Sequence, residues 1–239
     1  MNALRRVVIM AEMHGHDLIR RHAALGLLIA LPLSFYLASA GDDKRAPVTG
    51  GIGMSFAVSG AALFSIMSAR AVDQRLVLAG YRPVELLLAR VAFLGPLALL
   101  IAAGFAALMA SMSDPARIWV VVLGLATVAL QAVPFGLAIG AAVPRELEGT
   151  LALIGVIGVQ LASHSDSAAT KVLPFYGPRR LIEAGLVDHG ALLVPGLVTA
   201  AYGIGLLVVA RILISRQVFV RKPGRIELSG SASEAASSA

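Results

Sequence analysis

The chain has 239 residues, of which 58% are hydrophobic and 14% charged. A water-soluble domain carries about 25% charged residues, and one soluble core of this size cannot bury so large an apolar surplus, so the composition indicates an integral membrane protein. Cysteine is absent, which excludes disulfides, thiolate catalysis and cysteine metal sites, and the net charge of +6 sits at the ends of apolar segments rather than in a basic domain, so no nucleic-acid partner is expected.

Residues 1–21 are too charged to span a bilayer. They mix Leu4, Val7, Val8 and Met10 with Arg5, Arg6, Glu12 and Asp17. This pattern predicts an amphipathic helix lying in the inner interface. The alternative is a signal peptide ending at "ASA" (38–40), but its first region would be long and would hold two acids.

Six apolar segments follow. They run roughly from His22 to Ala40, Val48 to Ala69, Val91 to Met112, Ile118 to Val143, Thr150 to Ser163 and Leu192 to Ile214. About 20 residues are needed to cross the hydrocarbon core, and the fifth segment falls short. The tail from 215 ends in small polar residues, "ELSGSASEAASSA", a disordered composition. The sequence thus divides into an interfacial helix (1–21), a six-span domain (22–214) and a tail (215–239).

Lys and Arg set the orientation. With the N-terminus inside, fourteen of the twenty fall inside, among them Arg70, Arg75, Arg82 and Arg90 between the second and third spans. Lys44, Arg45, Arg117, Lys171, Arg179 and Arg180 fall outside. Both termini are therefore expected in the cytoplasm.

Between the second and third spans lies "RLVLAGYRPVELLLAR", Arg75 to Arg90. Gly80 can close one helix in a left-handed cap. Pro83 suits the first turn of the next. Val84, Leu87, Leu88 and Val91 recur on one helical face, and Arg82 and Glu85 can pair on another. The stretch predicts a cytoplasmic helical hairpin presenting Arg75, Tyr81, Arg82 and Glu85; an ordinary charged loop is the plain alternative.

A longer segment, "HSDSAATKVLPFYGPRRLIEAGLVDHG", precedes the last span. Pro174, Gly177 and Pro178 break it, and "RRLIEAGL" reads as a short helix with Arg179 and Arg180 near Glu183. After a short fifth span, this suggests a re-entrant pair of half-helices, which needs protein or water to cover its irregular backbone. A plain external loop is the alternative. In "VPRELEGTL", Glu146 and Glu148 sit where carboxylates favour a helix N-terminus.

The order of these features resembles the type-two ATP-binding-cassette (ABC) transporter permeases, mostly bacterial exporters, over nearly the whole chain to about residue 215. The resemblance implies that the loop holding Arg75, Gly80, Tyr81, Arg82, Pro83 and Glu85 carries a coupling helix that docks on an ATPase. It implies an outer gate at the re-entrant segment, with Pro174, Tyr176, Pro178, Arg179 and Glu183. Tyr81 and Arg82 stand where the family has an acidic residue beside the coupling glycine, so docking is assigned to the loop as a whole. It further implies two separately encoded ATPase subunits, which hold ATP and Mg, and a second permease, identical or sister.

The sequence itself carries no motor. A phosphate-cradling loop ends in Gly-Lys-Ser or Gly-Lys-Thr, and Lys44, Lys171 and Lys222 follow Asp, Thr and Arg. Gly136 and Gly140 form one GxxxG, better suited to internal packing than to a dimer. Glu12, His14, His16 and Asp17 cluster, but histidines two apart face different ways on a helix, so no metal is expected. No His or Asp lies within a span beside Ser55, Ser59 or Ser65, which argues against an intramembrane protease.

Gln131 lies mid-span, near Pro134. Its amide can line a substrate path or bond to a neighbouring helix. With no ionisable residue at the midplane, a proton relay is not evident. The expectation is a bacterial inner-membrane export permease for a lipophilic or amphipathic cargo such as a drug, antibiotic or lipid, not itself an enzyme. The alternative is a non-transporting membrane scaffold that holds a cytoplasmic partner through the same loop.

Overall fold

The computed structural model describes Glu12 and residues 22–42, 45–113, 115–163, 168–187 and 190–219. The described residues are helical, with no strand among them. In chain order they form α1 (His22–Leu37), α2 (Arg45–Leu78), α3 (Pro83–Met112), α4 (Ile118–Ala142), α5 (Glu146–Ala162), α6 (Ala168–Lys171), α7 (Tyr176–Gly185) and α8 (Leu193–Phe219). Apart from Glu12, the amphipathic helix expected over 1–21 lies outside the described residues, and with it His14, His16 and Asp17, as does the tail beyond 219.

Four helices are long and apolar enough to cross a membrane: α2 with 34 residues, α3 with 30, α4 with 25, and α8 over Leu193–Arg216 with 24. α1 and α5 are apolar but shorter, at 16 and 17 residues. The helices overrun the apolar segments because charged and proline residues extend their ends. Asp42 starts α2: its Oδ1 accepts the Arg45 N–H at 3.0 Å, the bond of an N-cap. Pro83 starts α3.

α2 and α4 form the centre, where 56% and 61% of the apolar window is buried, against 33% for α3 and 17% for α8. From Ala46 to Ser55 every residue of α2 is buried. Glycines let its neighbours approach: a Cβ on Gly51 would fall 2.8 Å from the Ile182 side chain, and one on Gly53 2.8 Å from Phe35. Gly136 and Gly140 of α4 meet the backbone of α2 at Ser59 and Leu63, so this GxxxG packs within the chain. The weakly buried faces of α3, α5 and α8 are apolar, with Leu100 70% exposed, Leu151 58% and Ile204 65%. In lipid such faces carry no penalty.

Candidate functional site

The turn between α2 and α3 closes with its own chemistry. Gly80 has φ +91°, the only positive φ among the described residues. Its N–H donates to the Val77 carbonyl and the Tyr81 N–H to the Leu76 carbonyl, both at 3.0 Å. These two bonds form a Schellman cap, which favours glycine at the left-handed position. Leu76, Val77 and Tyr81 then pack on Leu86 and Ala89. Glu85 Oε2 accepts the Arg82 N–H at 3.0 Å and so closes the first turn of α3. Arg75, Leu78, Gly80 and Arg82 are left exposed.

Two expectations for this hairpin change in detail. The face of Val84, Leu87, Leu88 and Val91 is only partly packed: Leu87 is buried, Leu88 half exposed, and Glu85, Leu86, Ala89 and Arg90 are buried beside it. Periodicity among apolar residues does not show which of two apolar faces meets protein. The bond between positions 82 and 85 runs from backbone N–H to carboxylate.

At the base of the hairpin is an ion pair that the sequence reading missed. Arg90 Nη2 donates to Asp73 Oδ1 at 2.9 Å and Oδ2 at 2.7 Å. The side chains are only 1% and 11% exposed. A signal for it existed: residues 73 and 90 are equidistant from the Tyr81–Arg82 peptide, so two antiparallel arms bring them face to face. Nearby, Arg70 of α2 donates to the Gly140 carbonyl at 2.8 Å, the Pro144 carbonyl at 2.6 Å and the Val143 carbonyl. This cation satisfies the open carbonyls at the end of α4.

The segment before α8 lies against α4 along more than half of that helix. The Gly185 carbonyl accepts the Arg117 N–H at 2.9 Å, and a Cβ on Gly124 would meet Ile182 at 2.7 Å. Further along, the Gln131 amide Nε2 donates to the Pro174 carbonyl. Phe175 is fully buried and stacks edge-on against Phe135, with ring centres 5.3 Å apart. Ile118 to Phe135 corresponds to roughly 25 Å of helix at 1.5 Å per residue. The non-helical turn at 172–175 therefore sits beside the middle and far half of α4, with Pro174 satisfied by Gln131 and Val172 by the Tyr202 hydroxyl at 2.5 Å.

Of the residues expected at this segment, Pro178 is buried, while Pro174, Tyr176, Arg179 and Glu183 are partly so. Arg179 Nε pairs with Glu183 at 2.9 Å and Arg180 Nη1 with the same carboxylate at 3.2 Å. Arg179 Nη1 also donates to the Gln160 carbonyl at 3.0 Å and the Ser163 carbonyl at 2.9 Å. Short α5 thus ends on a cation from α7. Arg179 and Glu183 join Asp42, Arg45, Thr49 and Ser163 around a cleft of about 370 Å³ at the Arg45 end of α2. Gln131 is 2% exposed; its Nε2 donates to α7's turn, while its buried Oε1 has no hydrogen-bond partner among the described residues. At the α4–α5 turn, Glu146 and Glu148 are exposed, and Glu148 lies 3.8 Å from Arg145.

Comparison of the chain with protein-family models finds no match, and comparison with curated proteins finds none.

Proposed function

We propose that the chain is the membrane subunit of an ABC-type exporter, driven by ATP hydrolysed on separate subunits. The observation that carries this reading is the capped hairpin from Arg75 to Glu85. It extends α2 past its apolar part and leaves Arg75 and Arg82 exposed on a rigid turn, a form suited to docking in a cleft of a soluble partner.

In this reading α1 and α5 also cross the bilayer, giving six spans with both termini in the cytoplasm of a bacterial cell. α5 crosses despite its length because Arg179 receives its last carbonyls below the outer surface. α6, the turn at 172–175 and α7 form the re-entrant outer gate, which Gln131 anchors. Two ATPase subunits hold ATP and Mg, a second permease completes the path, and the cargo is lipophilic or amphipathic.

The test is co-purification with an ABC ATPase co-expressed with the chain, taking first any such ATPase encoded beside it. Wild type should retain it. Arg75→Glu combined with Arg82→Glu leaves the turn's backbone intact and should lose it while remaining folded. If wild type retains no ATPase, the exporter reading fails and the hairpin serves some other cytoplasmic partner.

A further inference from the structure

We infer that Asp73 and Arg90 are positioning residues for coupling: their buried ion pair fixes the hairpin to α2, so that α2 carries movement of the docked loop to the Arg45 end. The inference rests on the permease reading above and names the residues that transmit its stroke.

Three observations lead to it. First, the pair bridges the two arms of the hairpin. α2 packs mainly on α4 and α1 and only lightly on α3. Beyond the small apolar cluster of Leu76, Val77 and Tyr81 on Leu86 and Ala89, the arms are joined by the Asp73–Arg90 pair. Both carboxylate oxygens engage one guanidinium nitrogen, a charge-assisted contact shorter than a neutral one that holds the two arms at a set distance.

Second, a buried ion pair is a poor device for stability alone. A well-packed apolar pair of similar volume holds two helices at least as firmly. A charged pair adds a fixed geometry, and it strongly resists separation because neither charge can be left alone at low dielectric.

Third, α2 is built to transmit. It runs unbroken over 34 residues, about 51 Å at 1.5 Å per residue. α1, α3 and α4 carry interior prolines at Pro32, Pro96 and Pro134, where helices bend. One end of α2 carries Asp73. The other contributes Arg45, Thr49 and Ile52 to the cleft shared with Arg179 and Glu183. In between, Arg70 bonds to the end of α4. A rigid element with a fixed tie at its driven end is a physical route between two sites, as opposed to mere proximity.

The chain lacks cysteine, so spin labels can be placed at will. Labels at Ala40→Cys and Val187→Cys report on the cleft end in the complex with ATPase. Labels at Leu78→Cys and Leu88→Cys report on the hairpin in the chain alone. Asp73→Asn and Arg90→Gln should still retain the ATPase and hydrolyse ATP. They should reduce the ATP-driven distance change at the cleft end at least about fivefold and broaden the hairpin distance distribution. Arg90→Lys, which keeps the charge, should fall between these variants and wild type.

A wild-type distance change in Asp73→Asn or Arg90→Gln overturns the inference. So does an unbroadened hairpin, a measurement that needs no ATPase. If wild type holds a narrow hairpin but captures no ATPase, the permease reading has failed, and the coupling role falls with it. That pattern differs from a captured, active ATPase with unaffected variants, in which only the coupling role fails.

Discussion

Two buried glutamines differ in their Nε2 groups, since among the described residues neither Oε1 has a hydrogen-bond partner. Gln131 gives its Nε2 hydrogen to the Pro174 carbonyl, in a turn where no helix bond is available. Gln160 is fully buried, and neither polar atom of its amide has a hydrogen-bond partner among the described residues. A buried acceptor that loses its donor costs about 1–3 kcal/mol in water-soluble proteins, and less where the membrane-unfolded state finds substitutes. Gln131→Leu should therefore lower stability in mixed micelles by about 1–2 kcal/mol. Gln160→Leu removes an unsatisfied group at similar volume and should be neutral or stabilising. Equal losses in unfolding titrations of the two variants would mean that the Gln160 amide meets a partner beyond the described residues. Gln131 was visible in the sequence as the polar residue of its span. Its partner was not, because Pro174 is 43 residues away and reaches it only through the path of α7.

At the scale of elements, the contact between α2 and α4 sets the core. Gly136 faces the Ser59 carbonyl with no room for a methyl group, whereas a Cβ on Gly60 would meet nothing within 4 Å. Gly136→Ala must push the central helices apart, at about 1–3 kcal/mol. Gly60→Ala should gain about 0.5–1 kcal/mol from helix propensity. Thermal unfolding of the two variants in one detergent checks the contrast, and a harmless Gly136→Ala would refute the close α2–α4 crossing. The α2–α3 turn was legible because its signals are local: Gly80 takes the left-handed cap and Pro83 the first helical position. The packed face of α3 was not legible. In a soluble helix the solvent side is polar, but here Leu88 on the exposed side is as apolar as Leu87 on the buried one. The fifth segment was plainly short in sequence, yet Arg179, the residue that receives its end, comes sixteen positions after Ser163 and belongs to another helix.

For the whole molecule, the decisive quantity is how many times the chain crosses the bilayer. The long helices α2, α3 and α4 set the alternation from Arg45 to Ala142, and α1 and α5 decide the rest. If α5 crosses, Val187 lies on the same side as Ala40. The bond from the Arg117 N–H to the Gly185 carbonyl holds Val187 at that end of the bundle, so α5 runs from the hairpin end, where Arg70 meets Pro144, to the Arg45 end, where Arg179 meets Ser163. α1 poses the same question about Glu12, which shares the hairpin side only if α1 crosses. The charge distribution favours crossing in both cases, since fourteen of the twenty Lys and Arg residues then lie on the cytoplasmic side. Reversing the orientation would place those fourteen outside. Single cysteines introduced at Glu12, Ala40, Arg75, Arg145 and Val187 can be read one at a time, since wild type has no cysteine to compete. A membrane-impermeant maleimide on intact cells should label the Ala40→Cys and Val187→Cys variants. It should reach the Glu12, Arg75 and Arg145 variants only after permeabilisation. Label at Ala40→Cys without label at Val187→Cys would refute both the crossing of α5 and the seat of α7 beside Arg117. Label at both Glu12→Cys and Ala40→Cys on intact cells would reduce α1 to a helix that enters and returns. Either result would place the hairpin and the tail on opposite sides of the membrane or remove the N-terminal segment from the cytoplasm, and the six-span exporter architecture would not survive it.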